Sequence, residues 1–464
     1  SIGYRFSQEA YWDKLRETVS NGKLRFSYGE IGNENVGSSW PYIATIGTIS
    51  ASYVGWLNGS NTKVNEFDLP EWVSSSLTWE RIKTIDIGLD LGLLNDMVTV
   101  GFDWYQRTTN DMIAPGKALP PSVGASTPTT NSGSLRTRGW ELTINWRKQF
   151  TNDLGLYANF SIGDSKSVVT KWDNDQNIGH PLSTAYAYAG QVWGDIWGFE
   201  TDRYFTEADF TGKNADGSWI YAPGVADQTG IQTQTFVYGP GDIKFKDLDG
   251  SGVIDGGKGT VDDHGDLKVI GNCLPRYEYS FHIGGTYKGF DLDLFFLGVG
   301  KRDMWTQSSF VFPEMREADL AIYANQTSYN IYEPEKGIVN ISESNAFPCL
   351  YPGNEYAGNV TGLAGEGGCH NYYPQTKYLV DMSYLRLKNV TLGYTLPVEL
   401  TKKAFVQKLR FYVSCNNLFL LHKGSGDLPI DPEMNAGKGA LGYGTWGRTY
   451  PTTKSWSFGL QVTF

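Results

Sequence analysis

No run of apolar residues in this chain approaches the roughly 18 that a membrane-spanning helix needs, so a helical membrane protein is excluded. Basic residues are not in excess. The 39 Lys and Arg stand against 50 Asp and Glu, a net charge of −11, which argues against a nucleic-acid surface. Cysteine is scarce: Cys273, Cys349, Cys369 and Cys415 form no C-x-x-C pair. The five histidines, at 180, 264, 282, 370 and 422, supply neither zinc spacing nor H-E-x-x-H. G-x-S-x-G is also missing, so an enzyme is not expected. Gly442, Gly444 and Gly447 match G-x-G-x-x-G, but Pro451 and a strand pattern follow them where a dinucleotide site would need a helix. Cys349 and Cys369 share one loop-like stretch and could pair in an oxidising compartment, whereas Cys273 and Cys415 read as isolated packing residues. Opening at Ser1, with neither methionine nor a signal-type apolar stretch, the sequence reads as a processed or partial chain.

What is present in quantity is aromatic and small. Tyr, Phe and Trp number 28, 23 and 15, Gly numbers 55, and only 19% of residues are charged, which suits strands and turns better than helices. The expected fold is therefore all-β. Apolar residues recur at spacing two in Leu24 to Tyr28, Ile85 to Leu91, Val98 to Trp104, Trp140 to Trp146, Leu156 to Ile162, Tyr277 to Ile283, Phe290 to Phe296, Asn389 to Leu396 and Leu409 to Cys415. The last such row is Trp456, Phe458, Leu460, Val462 and Phe464. Such alternation marks strands with a different environment on each face. On its own it fits a two-layer sandwich as well as a barrel in lipid.

Connection lengths separate the two. The joins near 93–96, 148–154, 288–289 and 397–408 are short, and those at 106–138, 164–275, 300–383 and 417–455 are long. Regular alternation of short and long is what an up-and-down barrel in an outer membrane requires, with tight periplasmic turns and large extracellular loops. A soluble Greek-key sandwich has no reason to sort its loops by parity. With a further strand near Gly3 to Phe6 the chain supplies about eleven strands, by this strand count. An open sheet of that size leaves two bare edges, so the remaining strands are expected from an upstream portion or a second polypeptide. The row ending at Phe464 suits the C-terminal strand that directs barrel assembly.

"YLRLKNVTLGYTLP" from Tyr384 resembles a signature of SusC/RagA-type TonB-dependent outer-membrane transporters. "KLRFSYGEIGNENVG" from Lys23, "GSLRTRGWELTINW" from Gly133, "GDIWGFETDRYF" from Gly194 and "GDIKFKDLDGSGVID" from Gly241 resemble further family segments, in order. The resemblance implies a transmembrane antiparallel barrel of about 22 strands, half of them here. It also implies a plug domain and TonB-contacting segment outside this chain and a SusD-like surface lipoprotein as lid. The implied function is import of an oligosaccharide or peptide across the outer membrane of a Gram-negative bacterium. A passive porin, or a secreted soluble adhesin or carbohydrate-binding protein, are the competing classes.

Two stretches carry candidate sites. "DLDGSGVID" places Asp247, Asp249, Ser251, Val253 (by its carbonyl) and Asp255 at positions one, three, five, seven and nine of an EF-hand-like loop, with Gly252 at the sharp turn. Position twelve is Lys258, so a further oxygen would have to come from elsewhere, with Asp262 or Asp263 as candidates. No cofactor is required, and calcium here would be structural. "YAYAGQVWGDIWGFETDRYF" supplies Trp193, Trp197 and Tyr204 as candidate ligand-stacking aromatics, against the plainer expectation that a long loop packs its own aromatic core. Asp86, Asp90, Asp103, Asp291 and Asp293 fall on the polar face and could line a lumen. "CHNYYPQ" and "GSGDLPIDPEMN" are candidate contact surface for a lid.

Overall fold

The computed structural model describes residues 1–33, 43–49, 63, 65–70, 72–75, 77–117, 119–123, 127–173, 178–179, 187–215, 217–232, 236–305, 312–313, 323–350, 370–433 and 452–464. The alternating segments become the strands of one sheet: β1 (Ile2–Tyr4), β2 (Val19–Asn33), β3 (Glu80–Leu93), β4 (Val98–Pro115), β5 (Thr129–Gln149), β6 (Leu154–Trp172), β7 (Arg276–Tyr287), β8 (Phe290–Lys301), β9 (Tyr384–Thr395), β10 (Lys408–Lys423) and β11 (Ser455–Thr463). These eleven strands pair in chain order, each antiparallel to the next, with β1 and β11 at the two edges. The sheet is an up-and-down meander that does not close on itself.

Register keeps the apolar positions in continuous rows. Leu91, Val100, Ile144, Phe160, Phe281, Phe296, Leu387 and Phe419 are successive cross-strand partners from β3 to β10. Because side chains alternate with period two, these rows lie on one face and the polar positions on the other. Among the described residues, none packs over the apolar face as a second layer. Leu392 is 45% exposed, Trp456 61% and Phe458 84%. A two-layer sandwich would bury these side chains in a core. The large buried cluster instead runs through the loops, from Ile178 to Leu267 and from Met304 to Met382. A sheet that leaves one face apolar and uncovered while its loops hold the aqueous core is built to stand in lipid.

The strand boundaries differ from those expected. β4, β5 and β6 hold 18, 21 and 19 residues, beyond the 9–11 or so that a bilayer needs, so this part of the wall projects past it. The connection expected at 106–138 accordingly shrinks to 116–128, and that expected from 164 begins at 173. A long connection between β2 and β3 was not anticipated; it contains a hairpin of Ile46–Ile49 with Glu66–Pro70. β1 ends at Tyr4, because Phe6 already opens a 3-10 turn. Among the short joins, Lys288 and Gly289 both take positive φ, 48° and 88°, as a two-residue type I′ turn demands. The join between β9 and β10 carries a short helix α1 (Val398–Thr401).

Candidate functional site: an ion-paired wall and a folded loop domain

Polar side chains on the inner face of the sheet are bound to one another across strands. Arg25 on β2 donates to Asp90 at 2.8 and 3.0 Å and to Asp103 on β4 at 2.9 Å, reaching over Gly88 on the strand between. A Cβ at Gly88 would stand 2.4 Å from Asp103 Oδ1 and 2.5 Å from Arg25 Cζ, so the bridge exists because that position is glycine. The same device recurs at Gly393, over which Arg410 on β10 donates to Asp291 on β8 at 2.9 and 2.5 Å. Asp293 accepts from the Tyr157 hydroxyl and lies 2.6 Å from His282 Nε2. Of the five acids expected to line a lumen, four are thus engaged by donors, and the wall is polar without being strongly anionic. Asn389, Thr391, Ser414 and Asn416 extend it as an uncharged ladder.

Above the wall, the described residues of 187–275 and 323–382 fold together. Phe199, Phe205, Phe236, Tyr238, Ile243, Phe245 and Tyr372 are fully buried. Their polar neighbours are matched inside: Asn371 donates to Asp242 at 2.7 Å and accepts from the Ile243 amide, and Gln228 accepts from the Phe245 amide at 2.6 Å. Buried amide groups satisfied in this way fix one loop conformation, because any alternative would strand them without partners. Arg203 grips Asp209 at 2.7 and 2.6 Å. Burial alone would raise the Asp209 carboxyl, but Arg203 and the Thr206 amide and hydroxyl outweigh it and hold it at about 2.

Two of the three aromatic candidates from the sequence, Trp197 and Tyr204, belong to this packing. Trp197 is 9% exposed and donates to the Tyr188 hydroxyl at 3.0 Å, while Tyr204 is 0% exposed. Trp193 packs on a small cluster of Ala114, Val169, Trp172 and Ala187. In "CHNYYPQ", Asn371, Tyr372, Tyr373 and Gln375 are all buried. In the other stretch, Asp431 and Glu433 turn back to pair with Arg386 and Lys388 at 2.5 to 3.0 Å. Cys349 is buried with its thiol 3.6 Å from the Pro240 carbonyl, and Cys369 lies outside the described residues, as do Gly442, Gly444 and Gly447.

The acidic loop closes differently from the sequence expectation. Carboxylate oxygens of Asp247, Asp249 and Asp266 lie within 4.8 Å of one another. Asp266, which spacing did not single out, is buried, and burial pushes its carboxyl up. Asp263 is instead paired with Lys258 at 2.9 Å. Asp247 accepts from the Gly250 and Gly252 amides, Asp249 from Ser251, and Asp255 from Gly257 at 2.6 Å, while the Ser251 hydroxyl donates to the Val253 carbonyl at 2.9 Å. Three convergent carboxylates with a hydroxyl and a carbonyl close by are a hard-oxygen set of the kind calcium takes.

Open aromatic surface lies elsewhere, where no spacing rule could find it. A cavity of about 900 Å³ is lined by Trp219, Tyr329, Ile331, Tyr332, Ile338 and Leu350, together with Lys213, Glu333 and Glu335. The Lys213 ammonium stands 4.4 Å from the Trp219 ring centre, and the Trp219 and Tyr332 rings are 6.1 Å apart. More than a hundred residues separate Trp219 from Tyr332.

Fold and site together define the wall and surface loops of an outer-membrane β-barrel. A family model described as TonB dependent receptor-like, beta-barrel, matches residues 2–255, and the chain belongs to that family. It is 26% identical over 483 residues to TonB-dependent receptor P3 of Formosa agariphila, a match that takes in 100% of this chain and 41% of the relative. It is 24% identical over 467 residues to TonB-dependent receptor SusC of Bacteroides thetaiotaomicron, covering 100% of this chain and 39% of that protein. The chain therefore spans about 40% of the length of these relatives. Among solved structures it superposes on the RagAB peptide transporter with a TM-score of 0.65 at 19% identity, over 100% of this chain and 43% of the other, which is a likeness of fold.

Proposed function

We propose that this chain forms half the barrel wall and the cell-surface loops of a transporter that imports a nutrient, an oligosaccharide or a peptide, through the outer membrane with energy from TonB. The observation that carries this is an eleven-stranded meander with an uncovered apolar outer face and an ion-paired inner face, in a chain of the TonB-dependent receptor-like family. Strands and a plug beyond this chain would complete the barrel, and a SusD-like lipoprotein would cover the loops. The similarity to SusC and to the RagAB transporter supports that arrangement. Cargo would be held by the loop domain, where the cavity around Trp219 and Tyr332 offers ring faces with charged groups beside them. Calcium held by Asp247, Asp249 and Asp266 would pin the acidic loop, with Ser251, Val253 and Asp255 close to it. The strand bearing Trp456, Phe458, Leu460, Val462 and Phe464 would present the apolar row that assembly machinery engages.

The test is isolation of the complex from its native outer membrane in mild detergent, with mass spectrometry of co-purifying protein and retained ligand, and nutrient uptake measured with and without TonB. A lid lipoprotein and TonB-dependent uptake are expected. Uptake that persists without TonB would identify a passive porin instead.

A further inference from the structure

The short-turn rim of the sheet carries a basic and aromatic surface that nothing above employs. Lys402 and Lys403 in the join between β9 and β10, and Lys408 at the start of β10, are all exposed, and none has a carboxylate or an aromatic ring as partner among the described residues. Other lysines at this rim are placed otherwise: Lys148 and Lys288 lie 5.2 and 5.4 Å from the ring centres of Phe150 and Tyr287. One acid, Glu399, shares the join, which leaves it net positive on a chain whose total charge is −11. Between these lysines stands Phe405, 91% exposed and in the left-handed region at φ 59°, a conformation uncommon for a bulky side chain. Its place is fixed on both sides. The Phe405 amide donates to Lys402 at 3.1 Å, that of Val406 to Thr401 at 3.2 Å, and that of Gln407 to Thr463 on the neighbouring β11 at 2.8 Å.

A groove of about 520 Å³ results, lined by Val398, Lys402, Phe405, Val406, Gln407 and Phe464. Its Phe464 wall continues the exposed row of Leu460 and Val462, so the groove opens onto the same surface that faces lipid. Apolar walls continuous with the lipid-facing surface, and unpartnered ammonium groups just beyond it, match a lipid whose chain lies against the barrel and whose charged head meets the lysines.

We infer that the join between β9 and β10 is a binding site for one anionic phospholipid of the periplasmic leaflet, its acyl chain along Phe405 and Phe464 and its phosphate among Lys402, Lys403 and Lys408. The site rests on the outer-membrane placement of the barrel. It would fix the height of the barrel in the bilayer from its periplasmic rim.

The full-length transporter, delipidated and titrated with phosphatidylglycerol or phosphatidylcholine, can be followed by native mass spectrometry. Phosphatidylglycerol should bind preferentially. Replacing Lys402, Lys403 and Lys408 by Ala should weaken it by about a hundredfold, from about fivefold for each lysine at a charged surface. Equal binding of the two lipids would overturn the inference, as would inorganic phosphate displacing phosphatidylglycerol at equal concentration. A nitroxide on Phe405→Cys, compared with one on Phe458→Cys, separates this site from the barrel itself. Both labels should contact lipid. Contact at 458 with an aqueous label at 405 would sink the site alone, and an aqueous label at 458 would sink the lipid-facing barrel on which it rests.

Discussion

Gly88 shows how a single position decides an interaction between two others. Lacking a Cβ, it lets Arg25 cross a whole strand to Asp103. Gly88→Ala should break that bridge and lower stability by about 1–3 kcal/mol, the range for a hydrogen-bonded charge left without its partner. The unfolding temperature of the purified barrel in detergent would register it, and no change would show that the bridge contributes nothing. In the loop domain Asp209 is held at about 2 by Arg203 and Thr206. Its folded-state pKa is depressed, so its contribution is complete above the unfolded carboxylate value of about 3.9 and is lost as pH falls through about 2. Asp209→Asn should cost about 2 kcal/mol at neutral pH and flatten the loss on acidification, as hydrogen exchange of the 199–245 amides would reveal. Asp266 has the opposite sign. Burial raises its pKa, which favours the protonated loop, so without a cation the stability it contributes declines as pH rises through its folded-state value. Calcium should abolish that decline and raise protease resistance around 247–266, an effect that Asp266→Asn removes. Terbium luminescence with no response to the protein would dismiss the site. Asp266 was illegible in the sequence because it lies outside the twelve-residue loop pattern and reaches the cluster only through the fold.

At the level of elements, the period-two segments located ten of the eleven strands, because one buried or lipid-covered face imposes strict alternation and a slip of one residue would invert it, while β1, three residues long, is too short to carry the pattern. Their ends were less legible. β5 runs on from Trp140 to Thr129 through Arg138, Arg136 and Ser134, where the wall has left the bilayer and both faces can be polar, so alternation fades while hydrogen bonding continues. The two faces make opposite demands on the same strand. Leu392→Arg, three residues from the rim end of β9, would place a charge against lipid at a cost of about 1–2 kcal/mol, between the interface and midplane values, whereas Thr391→Arg would point into a polar interior and be tolerated. Outer-membrane yield of the two variants should differ accordingly, and equal yields would mean that β9 does not cross lipid. Gly289→Val tests the type I′ turn: its φ of 88° disfavours a branched side chain, and a Cβ there would stand 2.7 Å from the Thr395 carbonyl.

For the whole molecule, the sequence made the architecture readable and the loops largely unreadable. Lipid contact leaves a periodic signature, but the loop domain is assembled from residues such as Gln228, Asp242 and Asn371 that lie far apart in the chain and meet only when folded. For the same reason Trp197 and Tyr204, conspicuous in the sequence, went to the core, and Trp219 with Tyr332 surround the open cavity. The central claim is that the apolar face of this sheet meets lipid and that β1 and β11 continue into a larger closed barrel. The most direct measurement is a structure of the intact complex, extracted from its native membrane into a lipid nanodisc. It should show about 22 strands, with Ile2–Tyr4 and Ser455–Thr463 hydrogen-bonded along their outer edges and lipid against Leu392, Trp456 and Phe458. A second protein sheet packed on those three side chains would contradict it.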